Sequence, residues 1–276
     1  MGATNVKRLV KKFEDCGFRA VVEDIDLTDR ERQSERTGGR LRGNFFTLDV
    51  QKDKCGEYFE IIKSKDVTVG ILDADRKDRH MLVALNRANV NQKFLMGHDE
   101  THLFVAAVDR NVTTLEDAKE SLKPQVVRDE QRLKRVKKRK VNKRRNKAFV
   151  RQGEWFFLPR PHVKVDRSMI LKNEPITRGD NSKPHMVQEM FRQGGESVMV
   201  CSRHPQGLTK AEYYRLVKEN PAAENWVWRS TVRNPKAYAR GKVTHPDHSA
   251  LCLLVWHEIV MSNESQFNNK GLVFID

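Results

Sequence analysis

The run QRLKRVKKRKVNKRRNKA, residues 131–148, sets the tightest limit on how this chain can fold. From Arg132 to Lys147, 11 of 16 residues are Lys or Arg and none is acidic. No core accepts such a stretch, because a buried charge without a partner is strongly destabilising. It must lie at the surface, and it divides the apolar segments into a group before it and a group after it. The formal net charge of +15 is concentrated there: residues 1–131 carry −1, the run itself +11 and residues 148–276 +5. A contact with a polyanion would use the middle and C-terminal parts of the chain, since the first part is close to neutral.

With 276 residues, 13 Phe, 4 Trp and 4 Tyr, the chain has enough apolar bulk for one large or two ordinary domains. Cys16, Cys55, Cys201 and Cys252 are scattered without a C-x-x-C pair, so neither a zinc ribbon nor a redox motif is expected and the thiols suit a reducing compartment. The first residues lack the apolar centre of a secretory signal, and no stretch approaches about 18 apolar residues. These features predict a soluble protein without membrane contact, located in the cytoplasm or associated with nucleus or nucleoid.

Periodicity predicts the elements. Val6, Leu9, Val10 and Phe13 recur at helical spacing behind Asn5, with Gly17 as a stop. FRAVVEDIDL predicts a strand, and residues 28–43, with Arg30, Arg32, Arg36, Arg40 and Arg42, an exposed loop. Six short segments between Asn44 and Val108, rich in β-branched and aromatic residues and separated by polar turns, predict antiparallel strands. Thr114 with Asp117 marks a helix start. Pro124 opens a second helix, which the sequence extends through the basic run to residue 147. Beyond it come strands over AFVRQGEWFFLP, SMILKNEPI and ESVMVCS, a helix over KPHMVQEMFRQGG, a capped helix at Thr209–Glu212, and a final hairpin of YARGKVTHP with ALCLLVWHEIVMS. The expected fold is α+β: β-rich mixed domains at 1–112 and 148–276, joined by a long basic helix within 113–147.

Clustered cations favour polyphosphate backbones, because each neutralised phosphate releases condensed counterions. The expected nucleic-acid contacts are Arg132, Lys134, Arg135, Lys137, Lys138, Arg139, Lys140, Lys143, Arg144, Arg145 and Lys147, extended by Arg151 and Trp155 in FVRQGEWFF. The run itself has no aromatic residue, so base stacking would have to come from Trp155 or from Trp226 and Trp228 beside Arg229 and Arg233. The same aromatics also suit a strand that fills a core. RNA is favoured slightly over DNA, because the run resembles basic arms that order on binding. An acidic protein surface is the alternative partner.

Two His/Asp-rich turns offer metal ligands. GHDETH carries His98, Asp99 and His102; THPDHS carries His245, Asp247 and His248. Imidazole and carboxylate suit zinc or manganese, and a metal held this way could activate water against a phosphodiester. A metal-dependent hydrolase is therefore the rival to a binding protein, which itself needs no cofactor. Both turns precede an apolar strand, a faint internal echo. Residues 70–75, GILDAD, are similar to the core of the LAGLIDADG homing-endonuclease motif, which implies a helix with a metal ligand at Asp75; Arg76 replaces the closing glycine of that motif, and the preceding VTV favours a strand.

Overall fold

The computed structural model describes residues 2–25, 41–43, 46–88, 90–100, 102–178 and 183–264, and the architecture is mixed, with helices packed on several sheets. Residues 28–40 of the expected arginine-bearing loop lie outside the described residues.

The first half begins with α1 (Gly2–Asp15), ended by Gly17 at φ +82°, a conformation that glycine adopts without a Cβ clash. Strands β1 (Ala20–Ile25), β2 (Leu41–Gly43), β3 (Phe46–Asp53) and β4 (Gly56–Ser64) form a sheet in the order β1-β4-β3-β2, with β1 parallel to β4. A second sheet is the antiparallel meander β5 (Thr68–Asp75), β6 (His80–Arg87), β7 (Val90–Asp99) and β8 (His102–Val108). Period-two alternation turns Met81, Val83 and Leu85 toward Phe13, Phe59 and Ile61, where α1 and both sheets share one core. Leu82 points the other way and packs with Leu95, Val108, Leu115 and Ala118 under α2 (Leu115–Ser121). This meander is therefore covered on both faces, which explains why β6 is apolar along most of its length.

In the second half, β9 (Val150–Gln152), β10 (Trp155–Pro159), β11 (Leu171–Ile176), β12 (His185–Gln193), β16 (Lys236–His245) and β17 (His248–Met261) make an antiparallel sheet ordered β11-β12-β16-β17-β10-β9. A smaller sheet, β14-β13-β15, combines β13 (Glu196–Cys201), β14 (His204–Thr209) and β15 (Arg229–Arg233). It is accompanied by α4 (Lys210–Glu219), whose Thr209–Glu212 capping box is formed as expected.

Two expected helices are corrected. KPHMVQEMFRQGG is strand β12. Its register shifts between Val187 and Glu189, so the buried residues fall at His185, Val187, Met190 and Phe191. A bulge that skips one residue imitates a helical spacing in the sequence. The long basic helix also does not form: α3 spans Gln125–Leu133 only. Lys134 caps it, Arg135 is left-handed at φ +48°, the Arg135 N–H donates to Arg132 O, and the Val136 N–H donates to Gln131 O. That is the Schellman arrangement. Continuing the helix would ring its axis with like charges and offer the core little beyond Val136 and Val141. Turning back lets Val136 pack with Val127, Phe149, Phe156 and Leu158. Arg160 anchors α3 from the sheet side, joining Glu130 at 2.5 Å to Glu258 at 2.8 Å.

Two outcomes follow for stability. Arg135→Gly should raise it by about 0.5–1 kcal/mol, because glycine removes the left-handed penalty at this cap; a higher midpoint in urea checks it. Burial, assisted by the Lys119 charge, pushes the His80 imidazole down to about 4. The unfolded ring takes up its proton near pH 6.5 and the folded one not until about pH 4, so stability is complete above 6.5 and falls as pH drops toward 4. The expected slope from this one group is up to about 1.4 kcal/mol per pH unit, and His80→Leu should flatten urea-derived stability between pH 6 and 4.5 by roughly that amount.

Candidate nucleic-acid interface and histidine cluster

The segment from Lys134 to Lys147 is a closed surface loop with one 3-10 turn at Lys138–Lys140. Its frame is mostly backbone and amide. The buried Gln131 donates through Nε2 to Val141 O at 2.7 Å, holding the loop against α3. Lys140 N–H donates to Lys137 O and Lys143 N–H to Lys140 O. Asn146 Oδ1 accepts from the Ala148 and Phe149 N–H groups, and the Arg151 N–H closes the loop on Arg144 O at 2.7 Å. The repelling side chains point outward while the backbone bonds to itself.

The cations divide into three groups. Arg135, Lys137, Arg139, Lys140, Lys143, Arg145 and Lys147 are exposed, and among the described residues no carboxylate lies within ion-pair distance of them. Arg132, Lys134 and Lys138 form local pairs with Asp129 at 3.1 Å, Glu130 at 3.4 Å and Glu116 at 3.7 Å. Exposed pairs of this kind are weak and leave a cation able to exchange partners, least so at the half-buried Lys134. Arg144 and Arg151 belong elsewhere. Arg144 is held between Asp99 and Glu100 of the β7–β8 turn, and Arg151 lies 3.5 Å from Asp99. Burial and the neighbouring Arg151 push the Arg144 guanidinium down to about 10. These two arginines fasten the loop to the first half of the chain and are not part of its outward face.

The expected stacking role of Trp155 is also corrected: it is 4% exposed and packs with Phe157, Val187 and Leu253. Trp226 and Trp228 are half-buried, and their rings lie 6.0 Å apart with planes 22° from parallel. His204 joins them at 5.9 Å from each, and Arg203 covers Trp226 at 4.4 Å. His204 and Arg203 had no sequence signal, because they reach the tryptophans only through the β13–β14 turn.

The metal candidates separate too. His102 Nδ1 faces Glu57 at 2.6 Å, Asp99 is taken by arginines, and His98 joins no metal-ligating group among the described residues. His245 and His248 do converge, and their third member is His185, from β12. Asp247 turns away toward Lys183 at 2.8 Å and lies 4.0 Å from His102 Nε2. The two His/Asp-rich turns thus meet in space: Glu100 accepts from the Ser249 N–H at 2.6 Å. GILDAD lies within strand β5, where Asp75 accepts from the Lys77 and Asp78 N–H groups, and Asp73 accepts from the Leu115 N–H at the start of α2. The helix implied by the motif resemblance is absent, and these two carboxylates serve a turn and a helix end.

No family model, curated protein or solved structure matches this chain, so its own geometry carries the functional argument. Arg144→Gln should lower stability by about 1–3 kcal/mol by removing the guanidinium that pairs with both Asp99 and Glu100. Lys140→Gln, on the outward face, should change it by less than about 0.5 kcal/mol. Urea midpoints of the two variants make the comparison.

Proposed function

We propose that this protein binds nucleic acid through the cationic loop at residues 134–147, gripping the phosphate backbone without reading sequence. The observation that carries this reading is the group of exposed loop cations that no carboxylate neutralises among the described residues. Had the fold matched them internally, no charge would remain for an outside ligand. The closed loop frame holds these charges close together before any ligand arrives, which lowers the ordering cost of binding. It also weakens the reason for favouring RNA, which rested on an arm that orders only when bound. RNA and DNA are therefore both candidate ligands, and Trp226 and Trp228 with Arg203 offer a stacking surface for exposed bases.

About four to six phosphates can face such a loop at once, so the affinity should fall steeply with salt, with a log–log slope on duplex DNA of roughly −0.9 per contact. Fluorescence anisotropy of labelled single-stranded RNA and duplex DNA, titrated at several salt concentrations, measures it. Replacing Lys137, Lys138, Arg139 and Lys140 together by Gln should flatten the slope by about three units. An unchanged slope in that variant sinks the assignment. Binding to acidic polypeptide with no binding to nucleic acid would favour the protein-partner alternative instead.

A further inference from the structure

We propose that His185, His245 and His248 form a binding site for a zinc-class divalent cation. The three side chains come from the start of β12, the end of β16 and the start of β17, so three strand ends meet at one end of the large sheet. One nitrogen from each ring lies within 4.8 Å of those of the other two. The ring centroids stand 4.2 Å apart for His185–His245, 4.7 Å for His245–His248 and 5.7 Å for His185–His248.

The second observation is the state of these nitrogens. His185 is 1% exposed, and neither its Nδ1 nor its Nε2 has a hydrogen-bond partner among the described residues; His248 Nδ1 is buried in the same way. Buried polar atoms almost always find partners, so three orphan nitrogens in one cluster call for a ligand. Each neutral ring has one lone-pair nitrogen and one N–H, and the lone-pair nitrogens of three such rings suit a shared cation. Three imidazoles are a zinc ligand set that leaves a fourth position open.

The surroundings agree. Gly153, in the β9–β10 turn, has φ +56°, and a Cβ there would lie 2.9 Å from His248 Nε2 and 3.4 Å from His185 Nε2. Glycine therefore leaves space next to two of the candidate ligand atoms. His245 Nδ1 accepts from the Asp247 N–H at 3.1 Å, a long bond that coordination at that nitrogen would replace. Three nitrogens in a tetrahedral zinc shell stand roughly 3.4 Å apart, so capture would draw the rings together by side-chain rotation.

The test uses the full chain, stripped with chelator and then dialysed against zinc or cobalt(II). Metal analysis should return close to one equivalent, and the cobalt form should show the visible bands of a low-coordinate nitrogen site. His248→Gln, at the half-buried hairpin turn, and His185→Gln should each weaken binding by at least about tenfold. Gly153→Ala should also weaken it. Circular dichroism shows whether each variant is folded, and if His185→Gln is not, His248→Gln decides. A native chain that retains no metal after dialysis overturns the proposal. So does stoichiometric binding that survives His248→Gln unchanged, because the ion then sits elsewhere.

Discussion

The ion-pair knot of Arg144 with Asp99 and Glu100 joins three separate parts of this molecule. Arg144 lies near the end of the cationic loop, and the two carboxylates form the turn between β7 and β8. Glu100 holds its other oxygen toward the Ser249 N–H, one residue beyond His248. One half-buried cluster thus ties the loop to the sheet of the first half and to the hairpin that carries two of the three clustered histidines. A guanidinium suits this role better than an ammonium, because its rigid planar fork presents donors to two carboxylates in a fixed geometry.

With its end fixed, the loop solves a problem of like charges. A continuous helix would distribute its cations around an axis, at a cost wherever they fall three or four residues apart. The chain instead stops α3 with Arg135 in a left-handed conformation and folds back. It buries Val136 and satisfies backbone groups through Gln131 and Asn146. Most of the charged side chains then face solvent from a compact frame. Under the proposed function, such a surface would suit a rigid or flexible polyanion equally well.

The histidine cluster follows a different logic. His185 is buried and His245 and His248 are half-buried, and all three stand at strand ends, where backbone geometry is set by a six-stranded sheet. A site built on sheet ends is held more precisely than one on a loop. The loop and the cluster therefore contrast on the same scaffold: charge displayed outward on turns, and imidazole nitrogens brought together by strand ends. Glu100 touches both, through Arg144 on one side and the Ser249 N–H on the other.

Much of the local structure was legible in the sequence, because short-range physics decided it. The amphipathic pattern of α1, the Thr114 and Thr209 caps, the meander from β5 to β8 and the β16–β17 hairpin each rest on residues a few positions apart. The charge run was equally plain, as was the need to keep it in water. Sequence did not decide which cations face outward, because Asp99 and Glu100 lie more than forty residues from Arg144. Nor could it place His185 beside His245 and His248, since β12 and β16 are neighbours only in the sheet. Trp155 carried the same ambiguity: an aromatic in a strand faces either core or solvent, and only the partner layer chooses. Composition and periodicity thus determined the charge and most of the elements, β12 and the extent of α3 excepted; long-range strand pairing decided which side chains meet.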